Sequence, residues 1–410
     1  MIKPGRNVLL GGAVAAVALA VNAQQPAASG GFDERLRKLE EEVQSLRKEN
    51  QELKSMLGDG RGGLITVKPA GKEVTLKLGG LLQAQADFLD KGDSRWGSDF
   101  DRFYLRRARL NASGTFLEDF DFKIELELSG SLGEASGLRA GMTDGYINYN
   151  RFEWANVRMG QFKSPYGFEQ LYADPRLFTI ERSLPNDRLT MGRQLGAMVT
   201  GELLEKRLSY ASGVFNGSGL NNSANDNDSF MWVGRGSGVP WQGKLWGMDA
   251  NWSVGADLFA SDDSSITGMN DFLFDSTPAT PALDGIFAGY RTGASVDSQL
   301  KLGPLEIWAE YFRTRFEVEN QIPLDAVDAE GWYAQATYYI LPDKLQGVVK
   351  FETFDPEVDL VGNTTDVWTF GLNYYIKGHD LKAQLNYLLF DATGQPNHES
   401  KILLRMQAVF

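Results

Sequence analysis

Not one cysteine occurs in the 410 residues, so no disulfide, thiolate nucleophile or thiolate-bound metal has a part in what the chain does. Histidine is nearly as scarce, with His379 and His398 the two present, which leaves little for general-base chemistry. Positive charge is in deficit: 41 Lys and Arg stand against 54 Asp and Glu, for a net charge of −13. That balance argues against a nucleic-acid partner, which requires a basic surface, but it does not exclude a locally basic channel. Phosphate-cradling glycine loops, dinucleotide fingerprints and zinc-type histidine spacings are all missing, so no cofactor and no metal are expected. The acidic run Asn225-Asp226-Asn227-Asp228 lacks the glycine and downstream glutamate of a calcium loop and reads as a solvated turn. Past the N-terminus no apolar run is long enough to cross a bilayer as a helix, which excludes a helical membrane protein.

What is present begins with an export signal. Lys3 and Arg6 precede an apolar stretch from Val8 to Val21, and Val21-Asn22-Ala23 offers small residues for cleavage, so residues 1–23 read as a signal peptide. Residues 24–63 read as a periplasmic leader and linker. Within it Phe32, Leu36, Leu39, Val43, Leu46, Asn50, Leu53 and Leu57 recur at alternating spacings of four and three, the seam of a coiled coil. Glu42 and Glu49 at g, against Arg47 and Lys54 at e, favour a parallel self-associating rod about 40 Å long. Asn50 at an a position fixes register at some cost in stability.

Residues 64–410 read as an outer-membrane β-barrel, and after Lys68 the periodicity becomes two. Leu76, Leu78, Leu82, Ala84 and Phe88 alternate with Lys77, Gln83, Gln85 and Asp87; at the other end Ile402, Leu404, Met406, Ala408 and Phe410 alternate with Lys401, Arg405 and Gln407. Alternation and turn signals together predict strands over 73–88, 101–116, 119–129, 139–150, 154–164, 193–203, 206–216, 228–237, 243–260, 287–302, 304–316, 330–341, 344–354, 365–377, 380–391 and 399–410. These are sixteen, an even number. Tight connections such as Leu117-Glu118-Asp119 and Gly303-Pro304 interleave with long polar ones such as 216–228 and 261–285. The fold class is therefore all-β, a transmembrane antiparallel β-barrel in a bacterial outer membrane, with short turns toward the periplasm. Tyr338-Tyr339, Trp368, Tyr374-Tyr375 and Tyr387 suit interfacial girdles. His379 falls in a predicted turn and His398 in a loop at the opposite end, so no Ser-His pair forms and no enzyme is expected.

Three stretches, Phe103-Tyr104-Leu105-Arg106-Arg107-Ala108-Arg109-Leu110, Gly160-Gln161-Phe162-Lys163-Ser164-Pro165-Tyr166-Gly167 and Gly213-Val214-Phe215-Asn216-Gly217, resemble the phosphate-selective porin O and P family across residues 73–410. The resemblance implies a homotrimeric, sixteen-stranded, anion-conducting channel. It also implies that the connection from Pro165 to Gly192 folds inward. Small anionic solutes would be its cargo, lipid and lipopolysaccharide its surroundings. The terminal Phe410 resembles the signature that barrel-assembly machinery recognises.

In a channel the charged lining carries the function. Arg107 and Arg109 share the wet face of the second strand, with Arg106 near the interface or loop boundary. Inward parity falls on Lys77, Lys123, Arg158 and Arg291, while Arg176, Arg182 and Arg188 lie in the long connection that Lys163 and Arg193 flank. Lys301, Lys350, Lys382, Lys401 and Arg405 share that parity, and so do the acids Glu125, Glu127, Glu306, Glu310 and Glu352. The long connection also holds Glu169, Asp174, Glu181 and Asp187. The residues alone thus leave open a selective anion channel, a weakly selective general porin with a mixed field, and an envelope tether on a coiled-coil stalk.

Overall fold

The computed structural model describes residues 65–67, 74–89, 101–129, 141–225, 227–267, 286–318, 326–392 and 399–410. The signal peptide, the leader seam from Leu36 to Leu57 and His398 lie outside them. The strands in chain order are β1 (Ile65–Val67), β2 (Leu76–Leu89), β3 (Arg102–Phe116), β4 (Phe120–Glu127), β5 (Gly141–Phe152), β6 (Ala155–Lys163), β7 (Arg193–Leu203), β8 (Leu208–Phe215) and β9 (Met231–Leu245). They continue with β10 (Met248–Thr267), β11 (Ile286–Leu302), β12 (Leu305–Val318), β13 (Val327–Leu341), β14 (Leu345–Asp355), β15 (Thr365–Lys377), β16 (Leu381–Ala392) and β17 (Glu399–Val409). Each of β2 to β17 pairs antiparallel with its chain neighbours, and β17 returns to β2, so sixteen strands close one barrel. β1 is an accessory: it pairs with Leu76 to Leu78, where β17 has already left β2.

Alternation assigns the faces. Leu78, Leu82, Leu110, Ile124, Ile147, Val296, Phe370 and Leu404 are exposed on the outside, where lipid covers them, while Gln83, Gln85, Asp87, Gln384 and Arg405 are buried within. The closing seam is short on side chains. Phe410 and Gly80 exchange two backbone hydrogen bonds, 2.7 and 3.1 Å long, and the Phe410 ring lies over Gly80 so closely that a Cβ there would come within 2.6 Å of it. A side chain at this position would have to displace that ring.

Two expectations need correction. The turn between the eighth and ninth barrel strands is not 238–242 but Trp246-Gly247, with φ of 52° and 79°, and β9 runs on through Pro240. Pro240 lacks a donor and would ordinarily break a ladder. It is tolerated because the β9–β10 register slips between Trp252 and Val254, a bulge that asks for no ladder bond there. The second concerns the girdle. Tyr338, Trp368, Tyr374 and Tyr387 do face outward, but Tyr375 is buried inside and donates its hydroxyl to Gln346 Oε1 at 2.6 Å. Adjacent strand residues point to opposite faces, so Tyr374 and Tyr375 cannot both meet lipid.

Replacing Gly80 with Val should dislodge Phe410 and cost about 1–3 kcal/mol, the usual penalty of overpacking. Heat-modifiable migration of the folded barrel on a detergent gel should then be lost at a lower temperature than in the wild type; an unchanged transition would remove the seam from the stability argument.

Candidate functional site

Between β6 and β7 the chain turns into the barrel. The local sequence explains the path: Gly167 takes φ +82° at the entrance, where a side chain would strike Thr190 at 2.8 Å. Short helices follow. α1 (Phe168–Leu171) leads to a 3-10 turn over Asp174–Arg176, and α2 (Leu184–Leu189) begins with Ser183 as its cap, accepting from the Asn186 amide, and Pro185 in its first turn. The inward folding of this connection is thus present as expected, and its chemistry sorts into three contacts with the wall.

The first is apolar. Trp308, Phe312, Phe316, Tyr333 and Phe354 point inward from β12 to β14, and with Phe259 on β10 they bury Tyr166, Phe178, Leu184 and Leu189 of the loop. Phe178 meets the Trp308 ring at 4.8 Å, and Tyr166 meets Phe259 edge-on at 5.0 Å. Each such buried side chain contributes about 1.5–3 kcal/mol. A barrel interior is ordinarily polar, and the sign that this one is not is the row Trp308, Phe312 and Phe316 at inward parity.

The second contact is ionic. Arg106 grips Glu181 through two parallel bonds of 2.9 and 3.0 Å, and Arg405 reaches the same carboxylate at 2.5 Å. Asp174 takes Arg109 at 2.5 Å, Arg182 at 2.7 Å and Arg107 at 3.5 Å. Burial alone would raise the Glu181 carboxyl, but Arg106 and Arg405 outweigh it and hold it below the usual carboxylate range. The third contact uses loop carbonyls and amides: Leu177 O accepts from Lys382 at 2.8 Å, Phe178 O from Asn373 at 2.9 Å and Pro175 O from Gln407 at 3.0 Å, while the Ile180 amide donates to Asn386 at 2.6 Å.

Arg106 reaches the lumen by a route the alternation could not give. The β2–β3 register slips at Gln83, which faces Arg107 while Ala84 faces Leu105. Arg106 is the extra residue of that bulge, and the bend turns its side chain inward beside Arg107 and Arg109.

The other expected lining residues divide by partner. Lys123 lies 2.6 Å from Asp144 and 3.1 Å from Glu125, Arg193 lies 2.7 Å from Asp144, and Arg109 also holds Glu127 at 2.6 Å. Lys163 donates to the carbonyls of Gln170 and Tyr172. Arg291 pairs with Asp263 at 2.5 Å on β10. Arg182 and Arg188 are buried in the loop, whereas Arg176 and Lys77 are exposed. Arg158 stacks on Tyr146, its guanidinium 4.3 Å from the ring centre. Lys350, Lys382 and Arg405 are buried beneath the loop and serve to hold it. Lys123 and Glu127 on β4, Arg109 on β3 and Arg193 on β7 keep partial access to solvent.

Among the described residues, Asp257, Asp297 and Glu310 bring carboxylate oxygens within 4.8 Å of one another. Their oxygens are already engaged: Arg235 lies 2.6 Å from Asp257 and 2.7 Å from Asp297, Asp257 accepts from the Gly167 amide, and Glu310 accepts from the amides of Phe168 and Glu169. The cluster fastens the start of the loop. Sequence reasoning misses Asp257 and Asp297, although inward parity is the signal that could have found both.

A scan against family models matches "Phosphate-selective porin O and P" over residues 77–243 and 284–410. Among curated proteins the chain is similar to Porin O of Pseudomonas aeruginosa, 25% identical over 326 residues that cover 74% of this chain and 73% of that one. Among solved structures it is similar to the outer membrane channel DcaP of Acinetobacter baumannii, with 15% identity, a TM-score of 0.56 and coverage of 85% and 100% of the two chains. OmpF of Salmonella typhi gives 12% identity, a TM-score of 0.57 and coverage of 84% and 100%. The closed barrel, the loop folded into it and the matched residues have one conclusion: the chain belongs to the phosphate-selective porin O and P family and is an outer-membrane porin channel.

Proposed function

We propose that this porin passes small anionic solutes with modest selectivity, through the polar space between the inward loop and strands β3 to β7. The observation that carries the reading is the charge pairing of that space. Glu125, Glu127, Asp144, Asp174 and Glu181 each have at least one basic partner within 4 Å, whereas Arg158 stacks on Tyr146 and has no carboxylate within 4 Å among the described residues. The local excess is positive although the whole chain is acidic. An excess of fixed cations raises the local concentration of anions, and the family's name supports phosphate as a candidate.

The same pairing favours a second reading, a weakly selective general porin. Arg106, Arg107 and Arg109 all face carboxylates, so they are not free cations. The remaining features of the proposal rest on the family and on the sequence. They are a homotrimer, a periplasmic coiled-coil leader on residues 24–63, a lipopolysaccharide-bearing membrane around the barrel, and Phe410 as the residue offered to the assembly machinery.

Reversal potentials in planar bilayers under a salt gradient should show anion preference, and a cation preference would reject the reading. Cross-linking of detergent-extracted protein should give a trimer band. The double variant Asp174→Asn, Glu181→Gln should free the loop, because unpairing a buried charge costs about 3–5 kcal/mol and Arg106, Arg107, Arg109 and Arg405 all lose partners. Its single-channel conductance should be larger and noisier than that of the wild type; equal conductance would show that the ion pairs do not hold the constriction. Since the depressed Glu181 ionises below the usual range, its contribution is fully present above about pH 4.3. It disappears only as pH falls through the lower folded value, so mild acid should leave the wild-type conductance steady.

A further inference from the structure

The outer wall is not uniform around the barrel. On one side Trp232 and Trp252 face lipid, and each gives its indole N–H to a serine on the next strand, Ser212 at 3.1 Å and Ser298 at 3.0 Å. On the other side Trp332 of β13 and Trp368 of β15 are 40% and 45% exposed and donate to no described group. Phe351 of β14 joins them, its ring 5.3 Å from that of Trp332 and 4.8 Å from that of Trp368. Phe370 continues the surface, its ring 6.2 Å from Trp368 and within 11° of parallel. One aromatic platform therefore crosses three strands, with two N–H donors left over.

Toward the long connections the same wall turns from rings to charges. Arg313 and Arg315 of β12, half exposed, share Asp328 at 3.1 and 3.4 Å. Arg313 also stands opposite Glu330, 3.8 Å away, and Arg315 reaches Glu317 at 3.1 Å. Glu330 in turn stands opposite Asp355, and Asp366 faces Thr353, two positions from Asp355. Like charges directly opposite in a ladder are destabilising, so Glu330 and Asp355 gain from a donor brought between them. Five carboxylates, Glu317, Asp328, Glu330, Asp355 and Asp366, thus face two guanidinium groups. That balance repels a bare phosphodiester and attracts groups that donate hydrogen bonds, while the arginines remain as donors in their own right.

We propose that the outer wall of β12 to β15, at its long-connection end, is a docking surface for the sugar headgroup of an outer-leaflet glycolipid. A sugar ring has an apolar face of C–H bonds and a rim of hydroxyls. The C–H bonds settle on the negative face of an aromatic ring. The hydroxyls, which both donate and accept, meet the carboxylates, the guanidinium groups and the two open indole N–H groups. Acyl chains below the headgroup continue over Val349, Phe370 and Leu372, which are exposed on the same wall. The position agrees, because the long connections of an outer-membrane barrel lie on the outside of the cell, where the headgroups of that leaflet are. A phospholipid offers no ring face, and its phosphate meets the acid excess. This inference rests on the lipopolysaccharide-bearing membrane of the reading above, and adds where on the barrel and through which side chains such a lipid is held.

The test is lipid binding by the full-length porin in detergent, counted by native mass spectrometry with three probes: lipopolysaccharide, a neutral glucosyl diacylglycerol and phosphatidylglycerol. The wild type should bind both glycolipids in preference to phosphatidylglycerol. The pair Trp332→Ala, Trp368→Ala should lower their affinity about tenfold, the order expected for two lost ring contacts. Arg313→Gln should weaken binding less in the same direction, and the pair Trp232→Ala, Trp252→Ala, on the other side of the wall, should leave it unchanged. Equal affinity for all three probes overturns the sugar recognition, as does binding of lipopolysaccharide without the neutral glycolipid, which would move recognition to its phosphates. An equal loss in the Trp232, Trp252 pair, or no loss in either the Trp332, Trp368 pair or Arg313→Gln, overturns the assignment to this surface. Heat-modifiable migration identifies a variant that fails to assemble, in which case Arg313→Gln and the probe preference of the wild type decide. Fractionation of the host separates this from the membrane reading. A porin found outside a lipopolysaccharide-bearing membrane ends that reading whatever the micelles show, whereas one found in such a membrane that binds neither glycolipid keeps the reading and overturns the docking surface.

Discussion

A strand in hydrocarbon has no water to satisfy its N–H and C=O groups, so the sheet must close on itself. Everything else in this molecule hangs on that closure, which is made where β17 meets β2 and where Phe410 bonds Gly80 through its backbone. Because hydrogen bonds between neighbouring strands satisfy the wall, the two faces are free to follow different rules. The outer face answers only to lipid and is predominantly apolar. The inner face answers to what fills the barrel, and there the rules change from one side of the lumen to the other.

On the β12 to β17 side the lumen is packed like a domain core. Aromatic rings from the wall, loop carbonyls bound by Lys382 and Asn373, and Glu181 held by Arg405, with Arg106 reaching it from β3, fix the inward segment along its length. On the β3 to β7 side charged groups keep partial exposure and face one another in pairs. Arginine therefore has two duties in one barrel. Where a loop carboxylate reaches it, it is a fastener whose charge is cancelled; where aromatic rings reach it, as at Arg158, no carboxylate among the described residues lies against it. Counting basic residues on the wet face cannot separate these duties, and that is the physical reason selectivity does not follow from composition.

Much of the architecture is legible in the sequence. Period-two alternation, the even strand number, the alternation of short and long connections and the aromatic terminus point together to a closed barrel, because a strand buried in lipid on one face admits no other pattern. Local chemistry settles details too, such as Gly167 where the chain turns inward and Ser183 capping α2. In two of the places where the sequence misleads, a bulge is responsible. Pro240 suggests a break and Arg106 a boundary residue, and in both places an inserted residue resets the parity on which the reading depends.

By itself the sequence determined which face of most strands meets lipid, since that follows from a local period of two and from nothing distant. It could not determine which inner charges are free. Arg106 and Glu181 are 75 positions apart, and Arg405 lies 224 positions from that same carboxylate. Only the folded loop decides whether an arginine on the wall meets a carboxylate, a ring or water, because Coulomb and hydrogen-bond energies depend on separations of a few ångströms that no spacing along the chain encodes.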